Sequence, residues 1–416
     1  MGQVRWAGWT MAIATALAIS GAQTVRADIA SDKPASIVIY PKVAVDSVNG
    51  VDTVIRLTNV NEAAPIQVHC FYLDANSHCQ GGDQDGMICT GNPRLCTQGG
   101  TCQAGWSETD FRIVMTPKQP IDWRASQGLA DAGSASGPGD DNLPIASGVC
   151  VRNQFKRCGT DADCSPFPGG ACTPSNAGTR IPPVPEDSFV GELKCIAIDA
   201  NGDPVKQNDL KGEALVETVN LDPGTGPQDF DVASYNAIGV QGIADHPGNE
   251  LTLGGDNPEY NGCPNFLILD HFFDDAIDPV PGTNDTIATN LVLVPCSEDL
   301  LRQIPGQATV QYLVYNEFEQ RFSTSNTVKC FEDIQLCQIG GGQCKRSIFN
   351  VAVAGTLTGQ TRLQPIGSGA LPSGLLGIAV EYHTTPPTGT TTFVRSAAFN
   401  LQMSGARDNP DTITIP

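Results

Sequence analysis

Residues 53–73 read Thr-Val-Ile-Arg-Leu-Thr-Asn-Val-Asn-Glu-Ala-Ala-Pro-Ile-Gln-Val-His-Cys-Phe-Tyr-Leu. Apolar residues here either alternate with polar ones or form a run too short for a helix, and Asn61 to Pro65 has the composition of a turn. The stretch predicts two antiparallel strands around a short connection. Similar phrases recur later in the same order, which is the mark of an internal repeat. Ile37-Val-Ile-Tyr-Pro41 corresponds to Leu291-Val-Leu-Val-Pro295, and Thr53-Val54 with Asn61-Glu62 to Thr309-Val310 with Asn316-Glu317. Val68-x-Cys70-Phe71 corresponds to Val328-x-Cys330-Phe331, and Gly191-x-Leu193 to Gly374-x-Leu376, each of the latter two followed by a short apolar run.

Helical periodicity is nearly absent, and a single sheet would leave one apolar face wet. The expected fold class is therefore all-β: two tandem immunoglobulin-like β-sandwich domains carrying disulfide-stapled loop insertions. The first domain is placed at 34–225 and the second at 285–416, with a bridge at 226–284. That bridge holds one further probable strand, Phe266 to Phe273, and an acidic turn region.

At the N-terminus, Arg5 and the apolar run from Ala7 to Ala22 read as a secretory signal peptide, residues 1–27, with cleavage after Ala27. Later stretches are too short or too polar for a membrane helix, so an exported product without a membrane span is expected, periplasmic, secreted or attached at the cell surface. The formal charge of -21 becomes -23 once Arg5 and Arg26 are removed with the signal. So acidic a chain is a poor partner for nucleic acid or anionic lipid.

All 15 cysteines lie beyond the signal, as suits an oxidising compartment. Cys79, Cys89, Cys96 and Cys102 form one compact module at 79–102, and Cys150, Cys158, Cys164 and Cys172 form a second at 150–172. Neither has the apolar residues for a core, so disulfides within each group of four are expected to hold it. Strand directions place both modules at one end of the first sandwich. Outside them, Cys70 and Cys195 lie on core-like strands and are paired, as are the neighbours Cys337 and Cys344. Cys296 and Cys330 are expected to meet at one end of the second sandwich, leaving Cys263 as the free thiol. The competing arrangement is a Cys263–Cys296 bond, in which Cys330 is free.

Signatures of chemistry are sparse. There is no C-x-x-C, no G-x-S-x-G, no H-E-x-x-H and no phosphate-binding glycine loop. His69, His78, His246, His271 and His383 are scattered and read as surface or strand residues. Asp199-Ala-Asn-Gly-Asp203 begins like a calcium loop, but Pro204 and Leu210 stand where its glycine and glutamate are needed, so it reads as a turn. The best metal or acid-base candidates are Asp270, His271, Asp274 and Asp275, with Asp278 beyond them. Trp123, a possible sugar-stacking residue, reads as core.

The phrase Asp52-Thr-Val-Ile-Arg-Leu-Thr-Asn-Val-Asn61 resembles the opening of immunoglobulin-like sandwiches in exported bacterial surface proteins. Cys158-Gly-Thr-Asp-Ala-Asp-Cys164 is similar to the cysteine-rich modules inserted in such proteins. The resemblance implies a fold and a setting, not an activity. The function expected first is a structural or interaction protein of the cell exterior or periplasm, with protein or glycan partners, no cofactor and no catalytic role. The alternatives are a ligand- or glycan-binding module using the cysteine-rich loops, and a secreted enzyme with an acidic metal-assisted site around Asp270 to Asp278.

Overall fold

Apolar runs such as Ile37 to Tyr40 and Cys70 to Leu73 have no polar face to leave in water, so each must be covered on both sides. The structure, a computed structural model, does this by stacking sheets. It describes residues 29–416 except 91–92, 104, 130–147, 151–152, 159–180, 221–228, 246–247 and 387–393.

Sheet 1 orders its strands Ile238–Val240, Ile37–Val45, Phe189–Ile198, Ile66–Asp74 and Ser107–Met115. Sheet 2 orders Asp229–Asn236, Leu210–Asn220, Val51–Asn59 and Pro120–Arg124. Sheet 3 is small: Glu250–Leu253, Asp411–Thr414, Glu298–Asp299 and Ile304–Pro305. Sheet 4 orders Arg321–Lys329, Gln307–Asn316, Thr358–Gly367, Pro264–Phe272 and Gln402–Ala406. Sheet 5 orders Ala276–Ile277, Thr286–Pro295, Leu375–Thr384 and Val394–Asn400, with Glu332–Gln335 also paired to Thr286–Pro295.

Three cores hold the sheets together. Val38, Tyr40, Phe111 and Leu193 of sheet 1 meet Ile55, Leu57, Trp123 and Tyr235 of sheet 2. The opposite face of sheet 1, with Ile37, Ile39, Phe71 and Ile196, packs on Leu251, Leu253 and Ile413 of sheet 3 and on Val294 and Leu376 of sheet 5. Sheets 4 and 5 enclose the third, around Leu269, Leu291, Val310, Tyr312 and Leu363. Trp123 is buried and its indole N–H donates to the Tyr72 hydroxyl at 2.6 Å. It is a core residue, as read from sequence.

This arrangement corrects the expected pair of tandem immunoglobulin-like β-sandwich domains, and with it the resemblance to exported surface proteins of that fold. Five sheets of four or five strands form one all-β domain, the sheet count of a five-bladed β-propeller. Individual sheets draw on distant parts of the chain. Residues 226–284, read as a bridge, contribute a strand to every one of the five sheets. Val292, Ile378 and Val380 from the second half join the first core. Two self-contained units cannot be cut from such a chain.

The repeat survives only as a strand pair. Val38 faces Cys195 and Tyr40 faces Leu193, while Val292 faces Ile378 and Val294 faces Leu376, which is the same register. The strand bearing Cys70 lies inside sheet 1, whereas Arg321–Lys329, which runs into Cys330, is an edge of sheet 4. Side-chain chemistry explains the difference. Ile66–Asp74 is buried at all but one position and needs neighbours and cover on both sides, but Arg321–Lys329 alternates exposed polar residues with half-buried ones and suits an edge. Accordingly Asn61 to Pro65 carries the chain between sheets 2 and 1 instead of closing a hairpin, while Asn316 to Gln320 does close one.

No described helix is long and apolar enough to cross a membrane.

Candidate metal site

Strand Ile66–Asp74 leaves sheet 1 at Asp74 and enters the first cysteine module through the short strand His78–Gln80. After adding Ser107–Met115 to sheet 1 and Pro120–Arg124 to sheet 2, the chain comes back to sheet 1 at Phe189, two residues after Asp187 and directly beside this exit, because Gly191 is the register partner of Asp74. Asp74, His78 and Glu186 are thereby brought to one place, each offering a ligand atom, with all three atoms within 4.8 Å of one another. His78 Nε2 lies 3.0 Å from Glu186 Oε2. Asn76 braces the group: its backbone N–H donates to Asp74 Oδ1 at 2.8 Å, and its side-chain amide to Glu186 Oε1 and to the Ser188 carbonyl, both at 2.8 Å.

Burial divides the roles. Asp74 is buried, whereas the His78 and Glu186 side chains keep 29 % and 24 % of their exposure and open the site to solvent. Burial, with a smaller contribution from the neighbouring Glu186 carboxyl, pushes Asp74 up to about 7, against the Asn76 N–H that favours its charge. For Glu186 burial works toward a higher value, but hydrogen bonds from His78, Asn76 and Asp74 outweigh it and hold the carboxyl below its ordinary range. The two carboxyls thus move apart, Asp74 upward and Glu186 downward, each in part through the other. A cation placed among one imidazole nitrogen and two carboxylates would compete with protons for them.

Two other groups bring ligand-type atoms together, Cys79 with Cys89 and Cys96, and Cys263 with Cys296 and Asp411. Their sulfurs are already bonded: among the described residues the disulfides are Cys70–Cys195, Cys79–Cys96, Cys89–Cys102, Cys263–Cys296 and Cys337–Cys344. Asp411 is further engaged by Arg407, by Ser297 and by the Gly374 N–H. Asp74, His78 and Glu186 alone among the three are not covalently committed.

The disulfides correct the expected Cys296–Cys330 pairing and the free thiol at Cys263. The strands that follow Cys263 and precede Cys296 lie in sheets 4 and 5, and the bond joins their ends. Among the described residues Cys330 is the free cysteine; it is buried, with its thiol 3.4 Å from the Gly105 carbonyl. Burial, and next the carboxylates of Glu298 and Glu192, drive that thiol well above its ordinary range. The second module, Cys150 to Cys172, lies largely outside the described residues, as does His246.

The candidates chosen from sequence do not converge. Asp270 accepts from Gln360 at the edge of a groove of about 500 Å³ that Tyr315, Glu317 and Glu381 also line. His271 is buried, with its ring nitrogens on Thr361 Oγ1 and the Phe272 carbonyl, and burial lowers it to about 4. Asp274 is a structural clamp that accepts from the backbone N–H groups of Thr289 and Cys337, both at 2.9 Å, and from Gln335. Asp275 accepts from Asn350, and Asp278 from Val280 and His383. Asp199 caps its own turn by accepting from the N–H groups of Asn201, Gly202 and Asp203. Sequence reasoning missed Asp74, His78 and Glu186. The one available signal was a histidine next to the first cysteine of a stapled loop, since Glu186 is more than a hundred residues away.

No known protein family matches the chain, and no curated protein matches it either. The convergent ligand group corrects three expectations: that the protein is simply structural, that a catalytic role has no basis, and that no cofactor is implied.

Proposed function

We propose that the protein is an exported binding protein for a divalent metal ion of the zinc class, held by Asp74, His78 and Glu186 at the root of the cysteine-stapled loop. The observation that carries the reading is the convergence of one imidazole and two carboxyl groups within 4.8 Å. Nitrogen and carboxylate oxygen are the ligands zinc takes at about 2.0–2.2 Å, and three protein ligands leave a position open for water or substrate. With such an ion bound, the site would supply Lewis-acid chemistry and an activated water, the basis of metal-assisted hydrolysis. Asn76 fixes the carboxylates, and His78 and Glu186 face solvent. The signal-like N-terminus and the disulfides support export to an oxidising compartment.

Calorimetric titration of the metal-free, disulfide-intact protein with zinc tests the reading. One equivalent should bind, and His78→Ala or Glu186→Gln should lower affinity at least about tenfold, the scale on which second-shell changes alone act. Absence of binding, or binding unchanged in both variants, would overturn it.

A further inference from the structure

The first cysteine loop contains a second arrangement of ligands, hidden by its own covalent bonds. We propose that on reduction of Cys79–Cys96 and Cys89–Cys102 the four thiolates form a tetrahedral site for one soft divalent ion such as zinc.

The sulfurs of Cys79, Cys89 and Cys96 lie within 4.8 Å of one another although they belong to two different disulfides. A tetrahedral zinc with Zn–S of about 2.3 Å places its sulfurs about 3.8 Å apart, so each bonded pair must part by about 2 Å on reduction, while the Cys89 sulfur closes on those of Cys79 and Cys96 by at most about an ångström. Cys102 is bonded to Cys89, and its backbone is the register partner of Cys79 on the paired strands His78–Gln80 and Thr101–Gln103. The remaining anchors are local as well. Cys89 is tied by its N–H to the Ser77 carbonyl, and Cys96 directly follows the short 3-10 turn Pro93–Leu95.

What orders this loop is its cross-links. Among its described residues only Cys79 and Cys89 are buried, while Met87 and Leu95 are 52 % and 44 % exposed. Gly81, Gly82, Gly86 and Gly99 all take positive φ, so the backbone between the cysteines is built from turns. Once reduced, such a loop has no core to fall back on, and a metal that re-ties the same four points restores its order. The spacing, nine, six and five residues between successive cysteines, has no C-x-x-C and gives no sign of this.

The chemistry balances with two equivalents of a dithiol reductant. Each gives two electrons and two protons to one disulfide and becomes a disulfide itself, leaving four protein thiols. Binding of the divalent ion then releases the four thiol protons and leaves a site of net charge two minus.

Full-length protein reduced by a dithiol under anaerobic conditions, then freed of it, is titrated with cobalt(II). The expected result is a thiolate-to-cobalt charge-transfer band with the visible absorption of a tetrahedral site, displaced by zinc and reduced by one equivalent in a Cys79→Ser, Cys96→Ser variant. A nitrogen and oxygen site gives no thiolate band, so the signal is independent of the Asp74 group. No band, or a band of the same amplitude in the variant, overturns the proposal. Because the variant also loses a disulfide, tryptic cleavage after the exposed Arg94 is followed in the reduced wild type as a second measurement. Zinc should slow that cleavage about tenfold, toward the rate of the oxidised loop, as local ordering suppresses proteolysis. Cleavage at the same rate with and without zinc overturns the proposal equally.

Discussion

Lys194 offers the sharpest test of how the stacked sheets are held. It points from strand Phe189–Ile198 into the core between sheets 1 and 3 and is fully buried. Its ammonium lies 2.6 Å from Glu298 Oε2, 3.2 Å from Glu192 Oε2 and 3.2 Å from the Pro295 carbonyl. Burial alone would lower the lysine, but the two carboxylates outweigh it and keep the ammonium charged. Glu192 is raised well above its ordinary range, first by burial and then by Glu298. Lys194→Met keeps the stem and deletes the charge, leaving two carboxyls facing each other in an apolar layer. Removing one partner of a buried pair costs about 3–5 kcal/mol. The sign with pH follows from the carboxyls. In the variant Glu192 loses the ammonium that works against its rise, so its folded value lies above the unfolded value of about 4.3 and the folded state binds the extra proton. The deficit is smallest near pH 4 and grows as pH rises above that value, by up to about 1.4 kcal/mol per unit, until the folded value is passed. Urea unfolding of the disulfide-intact protein, followed by tryptophan fluorescence at several pH values, reads this directly. A deficit below about 1 kcal/mol at neutral pH, or one that does not change with pH, would refute the reasoning.

Three further outcomes are expected. Asp274→Ala strips two buried backbone N–H groups, those of Thr289 and Cys337, of their acceptor and should cost about 2–5 kcal/mol in the same unfolding assay; a loss within about 0.5 kcal/mol, the range of ordinary surface changes, would contradict its role as a clamp. Thiol labelling of denatured, unreduced protein with peptide mapping should mark Cys330 and spare Cys263; label on Cys263 would show the assigned bond to be wrong. Zinc affinity at Asp74, His78 and Glu186 should fall by about tenfold per unit below about pH 7, because the metal-free site holds a proton on Asp74 that the ion must displace, and an affinity flat from about pH 7 to 5 would exclude Asp74 as a ligand.

Strands were legible in this chain because their signals are local: Ile37 to Tyr40, Ile66 to Leu73 and Leu291 to Val294 all form strands. Their partners were not, because partner choice depends on which faces are covered. The apolar run Cys70 to Leu73 already announced a strand end buried on both sides, yet the strand reads locally as half of a hairpin. In 226–284 the strands Ile238–Val240, Glu250–Leu253 and Ala276–Ile277 are two to four residues long, too short to show a period, and their membership of sheets 1, 3 and 5 is set entirely by distant neighbours. The candidate site was illegible for the same reason. Asp270 to Asp278 is conspicuous as a cluster in sequence but alternates between sheet faces and turn positions, whereas Asp74 and Glu186 become neighbours only because Gly191 pairs with Asp74.

The Cys70–Cys195 bond joins two adjacent strands of sheet 1 across a sequence separation of 125. The segment between them still enters the body of the protein, since Ser107–Met115 is an edge of sheet 1 and Pro120–Arg124 an edge of sheet 2. Covalently it is nonetheless one closed ring, and Asp74, His78 and Glu186 all belong to it. A protease that cuts this ring once, outside those two strands, releases nothing: both new ends stay joined through the disulfide, and the three ligands keep their places beside sheet 1.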